Sequence, residues 1–275
     1  MLKRYILSQT VRLLREPGAA LACVALVLAG MATYANGGPC SGGQRPGAYG
    51  AFVCYAPEAF IFLLPALAAV VGGMLVASSR ARGEDVIYAV RGLAGSRLAS
   101  GRMLAGSAAA ASIVLVAGLV LVVLALVFLP HRPELEIAPG VTYSPGFDPP
   151  EAGVPIPALW RSAPLAGDLL AVLIYAVAAA ALAAVGNATG QLVAQPLVAF
   201  GAPVMLVLAT QVATLPGAAK WISGYAYLDL EPVNGTLTEL GGALRLPALL
   251  GYWAALLVLS FALSMFVARR QAATA

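Results

Sequence analysis

The sequence predicts an all-α integral membrane protein, a single transmembrane domain of six helices over residues 1–275, and three observations carry that prediction. First, charged residues make up 10% of the chain and hydrophobic ones 61%, with a mean hydropathy of +0.88. A soluble domain carries about 25% charged residues, so this chain lacks the polar surface that water demands. Second, six apolar runs stand at 18–35, 59–79, 103–129, 169–186, 192–213 and 246–268, and none holds Asp, Glu, Lys, Arg or His. A span needs roughly 20 apolar residues, and a charge at its centre costs about 2.5–3.5 kcal/mol. Third, the charges are lopsided. Six spans put both termini on one side, where eleven of the sixteen basic residues fall with three acids, against five basic and nine acidic residues opposite. That bias places both termini in the cytoplasm and the chain in a cell (inner or plasma) membrane. The pI of 9.1 then reports orientation toward anionic lipid headgroups. No basic domain exists to bind nucleic acid.

The elements follow in order. MLKRYILSQTVRLLRE, within residues 1–17, reads as an interfacial helix. At 100° per residue Leu2, Ile6, Leu7, Leu13 and Leu14 fall on one side, with Arg4, Ser8, Arg12 and Arg15 on the other. Pro17 permits the change of direction into the first span. That run reads as a retained span, because sixteen amphipathic residues precede it and Thr33-Tyr34-Ala35 is a poor cleavage site. The outer loop at 36–58 contains Cys40 and Cys54. A disulfide between them would tether the loop on an oxidising face, two free thiols being the alternative. Cys23 reads as a small apolar side chain. Residues 130–168 hold nine of the nineteen prolines and read as an extended, irregular cap. Asp168, at its end, is expected at the outer mouth.

GNATG reads as a short inner link between spans four and five, with Gly186 and Gly190 forming a GxxxG packing motif. Between spans five and six, TLPGAAKWISGYAYL and GTLTELGGALRL read as two short re-entrant or surface helices around Pro232-Val233-Asn234-Gly235, the second opened by a capping box at Thr236 to Glu239. Trp160, Trp221 and Trp253 stand at or beyond the outer ends of spans, where indoles concentrate.

The chemistry of the chain is defined by what it lacks. A phosphate-binding loop needs G-x-x-x-x-G-K-[ST]; the two lysines, Lys3 and Lys220, have no such context. This excludes ATP hydrolysis of that kind by the chain itself, and no enzyme activity is expected. His131 is a lone histidine beside Pro130 and Pro133, so no metal cluster is expected. The spans carry no ionisable group of the sort that couples transport to an ion gradient.

The stretch SSRARGEDVIYAVRGLAGSRLASGR, residues 78–102, interrupts the apolar chain with Arg80, Arg82, Glu84, Asp85, Arg91, Arg97 and Arg102. As a helix over 84–93 after Gly83, it puts Val86, Ile87, Val90 and Leu93 on one face and Glu84, Tyr88 and Arg91 on the other. The positive-inside rule asks only for arginines. It does not ask for acids or for two faces, whereas a groove-binding helix with charges that fix its register does.

With these pieces in place the chain resembles the ABC-2 type permeases, the membrane subunits of type-2 ATP-binding-cassette exporters. The resemblance spans nearly the whole chain: a surface helix, six spans, a coupling helix between spans two and three, and short helices between spans five and six. Its most specific piece is GEDVIYAVRGLAGSRLASGRMLAG, with Glu84 at the acidic position, Arg97 in the small-residue turn and Arg102 at the basic position opening span three. The family more often has Lys where Arg102 stands, and Glu-x-Glu where this chain has Glu84-Asp85. Asn187 and Pro196 in VGNATGQLVAQP are also similar to the family's fourth-to-fifth span region.

The resemblance implies a translocation path formed with a second copy or a sister permease. It implies two separate ATPase subunits, holding ATP and Mg, that dock on the loop 80–102. Glu84, Asp85, Val86, Ile87, Val90, Arg91, Arg97 and Arg102 would form the docking element, and no cofactor would bind the chain itself. Glu84→Arg or Val90→Asp should then leave insertion intact and abolish stimulated ATPase activity. The residues alone leave two other readings open, a secondary carrier and a non-transporting partner or immunity protein in the membrane.

Overall fold

A computed structural model describes residues 2–36, 48, 51–55, 57–74, 76, 83–90, 95–129, 159, 163–193, 195–212, 222–228, 230 and 242–274. All regular structure among them is helical: α1 Leu2–Arg15, α2 Pro17–Asn36, α3 Ala51–Tyr55, α4 Pro57–Ala68 running on into a π-helical segment Ala69–Met74, α5 Glu84–Val90, α6 Gly95–Phe128, α7 Pro164–Leu192, α8 Pro196–Val212, a 3₁₀ turn Tyr225–Tyr227, and α9 Gly242–Thr274. Four helices (α2, α6, α7 and α9) are long and apolar enough to cross a membrane, and two shorter apolar helices lie within 59–73 and 196–209. Leu21, Leu28, Val258, Leu259 and Phe266 stand exposed along α2 and α9. That apolar surface suits hydrocarbon better than water, and the protein is membrane-embedded by this measure.

The most buried of the long helices is α7. Its run YAVAAAALAAV explains why, since Ala178, Ala179, Ala181, Ala183 and Ala184 are fully buried and such small side chains let neighbouring backbones close in. α6 lies antiparallel along it: Ser107 Oγ near the start of α6 donates to the Ala180 carbonyl at 2.9 Å, and Gly118 further on faces Val172. The π segment crosses the same stripe. A Cβ on Gly72 would fall on the Ala183 carbonyl oxygen, and one on Gly73 would stand 2.6 Å from the Ala199 oxygen and 3.0 Å from that of Gly186. Only glycine lets three backbones meet there. The wide turns begin one turn after Pro65, whose missing N–H already interrupts the ordinary helical ladder.

Several expected boundaries move. Residues 187–191 are the last turns of α7, which ends at Leu192, and α8 begins at Pro196. GNATG is poor helix-forming sequence, but it is held by packing and side-chain hydrogen bonds. Gly186 sits against Gly73. Gln191 Nε2 donates to Asn187 Oδ1, and Ser264 Oγ donates to Gln191 Oε1, both at 2.7 Å. GALRL belongs to the single helix α9 rather than to a separate short one; Pro247 lies inside that helix, which runs on past it despite the lost hydrogen bond. The rest of the two expected short helices lies outside the described residues, apart from 222–228 and 230. There Tyr175 Oη donates to the Leu228 carbonyl at 2.9 Å, Tyr227 stacks on Tyr252 at 4.0 Å, and burial pushes the Tyr227 phenol above its usual range.

Asp168 corrects a further expectation. It is not at a solvated mouth but 1% exposed, because α7 starts at Pro164 and carries Asp168 inside the packed end. Its Oδ1 accepts the backbone N–H of Val53 at 3.0 Å, so a carboxylate from α7 caps the first turn of α3. Arg245, near the start of α9, is also buried, so the long helices are not free of buried charge. Trp253 is fully buried beside Tyr252, turned into the bundle. Cys54 stands in α3 with its side chain outside the described residues, as is the whole of Cys40, and the loop 130–158 lies outside them too. Cys23 is a free thiol in α2.

These contacts define two ends. One gathers α3, the start of α7, the 3₁₀ turn and the start of α9. The other gathers α1, α5, the start of α6 and the last turns of α7 and α9, where Gln271 Nε2 reaches the Gln191 carbonyl at 3.4 Å. Lys3, Arg4, Arg12, Arg15, Arg97, Arg102, Arg269 and Arg270 all belong to segments of this second, basic end.

Candidate functional site

The basic end is built around Tyr5. α1 packs on α6 through Leu2, Tyr5 and Ile6, and Tyr5 and Leu98 form a small buried cluster of their own, with Tyr88 packed against it. Gly101 makes the seat, since a Cβ there would stand 2.9 Å from the Tyr5 ring. The same ring meets Tyr88 edge-on at 5.3 Å and 79°, an arrangement aromatic quadrupoles favour. Gln9 Nε2 donates to Tyr88 Oη at 3.2 Å, and the Arg102 guanidinium lies 5.7 Å from the Tyr88 ring centroid, within cation–π range. α5 is thus held to α1 and α6 by one side chain in three contacts.

The opposite face of α5 is bare among the described residues. Val86 is 68% exposed, Ile87 55% and Val90 84%. Gly83 before it has φ +68° and Gly95 at the start of α6 has φ +52°. Both are left-handed turns natural to glycine, so a seven-residue helix is hung between two fixed bends. The two-faced expectation for this segment agrees with the structure at Val86, Ile87, Tyr88 and Val90. Glu84 and Asp85 are the first two residues of α5, with side chains outside the described residues; Arg91 and Leu93 lie wholly outside them. Arg97 is exposed on the first turn of α6, and Arg102 is half-buried against Tyr88.

α1 turns differently from its expected division into two faces. Leu2, Ile6 and Leu13 turn inward with Tyr5 and Gln9, while Leu7, Val11 and Leu14 form an exposed apolar stripe. Arg4, Arg12 and Arg15 fall on a third, exposed stripe beside it. Three faces rather than two are what a helix needs at a protein–membrane–water junction. Tyr5 and Gln9 carry the attachment, and periodicity alone does not single them out. The pairing of an aromatic on the inner face with a glycine, Gly101, on the facing helix is the signal available.

Tyr5→Ala is expected to remove about 3 kcal/mol of local packing and to free α1 from α6. Limited trypsinolysis of the purified chain should then cut after Arg12 and Arg15 much faster. Leu7→Ala, on the exposed stripe, should leave the rate unchanged.

A helix presenting three exposed aliphatic side chains, braced from behind and set among arginines, is suited to entering an apolar groove on another protein. No group of three or more His, Cys, Asp or Glu among the described residues is placed to hold a metal ion. Compared with protein-family models, curated proteins and solved structures, the chain finds no match.

Proposed function

We propose that this chain is the membrane-spanning permease subunit of an ATP-binding-cassette exporter of the ABC-2 type, with both termini in the cytoplasm. The observation that carries the reading is α5: a short helix anchored by Tyr88 to α1 and α6 while Val86, Ile87 and Val90 stand exposed at the arginine-rich end. Two ATPase subunits dock beneath a pair of permease subunits, one on each copy of α5, with Glu84, Asp85, Arg91 and Arg97 setting register. Because α5 is braced against both α1 and the start of α6, force applied to it reaches a long helix through packed side chains rather than a slack loop. The six spans are α2, α4 with its π segment, α6, α7, α8 and α9, the shorter second and fifth crossing against the others. A second copy or a sister subunit completes the path, and the Gly72-Gly73 crossing of α7 and α8 is the rigid part of it.

The test is a pull-down from membranes solubilised in mild detergent with the chain tagged at its C-terminus. A protein bearing a Walker A motif should copurify with the native chain and be lost from the Val90→Asp variant. Copurification of a different protein, or of none across several detergents, would remove the exporter reading.

A further inference from the structure

Behind α1, an apolar cavity of about 520 Å³ opens between α2 and the α4–π unit. Ala22, Ala25 and Leu26 of α2 face Leu63, Leu67 and Val70 across it, and Gly18 lies at its α1 end with nothing within 4 Å of where a Cβ would stand. From Gly18 to Ala25 the slot runs about 10 Å at the helical rise. At its mouth are Arg12 and Glu16. Those two residues also line a shallow cleft along α1 whose border includes Arg4 and Arg15. A slot walled by apolar side chains thus opens directly onto a strip of guanidinium groups.

That juxtaposition matches an amphiphile with an apolar chain and an anionic head. A water-soluble ligand would leave the slot unused, and a neutral lipid would leave the arginines unused. The exposed Leu7, Val11 and Leu14 stripe of α1 is suited to a bilayer interface, where it would hold the adjoining arginines at headgroup height. Glu16 opposes an anion, but its link to Arg12 is a single 3.9 Å contact between side chains 57% and 51% exposed. Such pairs are weak and yield readily to a phosphate, which guanidinium binds through two parallel hydrogen bonds. We propose that this is a binding site for one anionic phospholipid, its phosphate on Arg12 and Arg15 and an acyl chain in the slot between α2 and α4. The site is independent of the docking helix α5 and of what that helix binds.

The experiment is native mass spectrometry of the full chain in mild detergent with equimolar phosphatidylglycerol and phosphatidylcholine. The native chain should retain about one phosphatidylglycerol in preference to phosphatidylcholine. Arg12→Gln with Arg15→Gln should lower that preference roughly tenfold, and Glu16→Gln should raise it. Gly18→Leu, which fills open space without a clash, should reduce retention of both lipids. All these positions are exposed, so the fold is kept; melting curves of each variant verify it. An unchanged preference in the double arginine variant would overturn the proposal, as would unchanged retention in Gly18→Leu. A changed oligomeric state in Gly18→Leu with lipid retention intact would make the slot a seam between copies, and would overturn it equally.

Discussion

On the proposed exporter reading, Val90→Asp is expected to abolish stimulation of an ATPase partner while leaving membrane insertion and melting behaviour unchanged. Val90 is 84% exposed on α5, so replacing it removes no internal packing. If the residue enters an apolar groove on the partner, losing its burial costs about 1.5–3 kcal/mol, and a carboxylate left unpaired in that groove costs more again. Together they predict a loss of affinity of about a hundredfold or more. Ile87→Asp should behave in the same way, being on the same exposed face. Tyr88→Ala separates two effects: it leaves the exposed aliphatics in place but removes their brace. On the same reading, partner binding should survive it partly while coupling of ATP hydrolysis to transport is lost. Copurification and ATPase rate in proteoliposomes, measured side by side, separate Tyr88→Ala from the two aspartate variants.

The second large effect lies in the bundle. Gly73→Val is expected to lower the stability of the purified chain by about 3 kcal/mol or more, beyond the usual range for overpacking, since the neighbours are backbone. Its Cβ would lie 2.6 Å from the Ala199 oxygen and 2.9 Å from the Ala199 carbonyl carbon. Neither atom can rotate away; α8 or the π segment must move. For a chain of this size the apparent melting temperature should fall by roughly 10 °C, read by fluorescence-detected size exclusion. Gly251→Val, in α9 with nothing within 4 Å, is the matched control and should be neutral or slightly stabilising, because valine is the better helix former. Should both variants melt alike, the three-backbone crossing would not be a fixed point of the fold.

How much of this was legible beforehand depends on which interactions are local. The apolar runs mark the cores of α2, α6, α7 and α9 within a few residues, because hydropathy is a property of the segment itself. The start of α6 at Gly95 is hidden, since Arg97 and Arg102 make Gly95 to Arg102 resemble a loop, whereas in the fold Leu98 and Gly101 pack against Tyr5 and Arg102 lies by Tyr88. GNATG misleads in the same direction: its propensity is poor, and the Gln191–Ser264 bond that helps fix it joins residues 73 apart in sequence. Asp168 looks like a loop acid because its acceptor role depends on Val53, 115 positions away. The π segment has a visible trace in Pro65 and Gly72-Gly73, but its backbone neighbours Ala183 and Ala199 do not. At the candidate site, the exposed aliphatics and the opposed Tyr88 follow from 3.6-residue periodicity. That Tyr88 meets Tyr5 and Gln9 does not, for it requires α1 to fold back along α6.

The most direct test installs a photoreactive phenylalanine analogue at position 90 and irradiates intact cells. The account predicts one dominant crosslinked product, containing this chain and a polypeptide with a Walker A motif, which weakens when Ile87→Asp is added. Crosslinking to lipid alone, or to a protein without a nucleotide-binding motif, would contradict it.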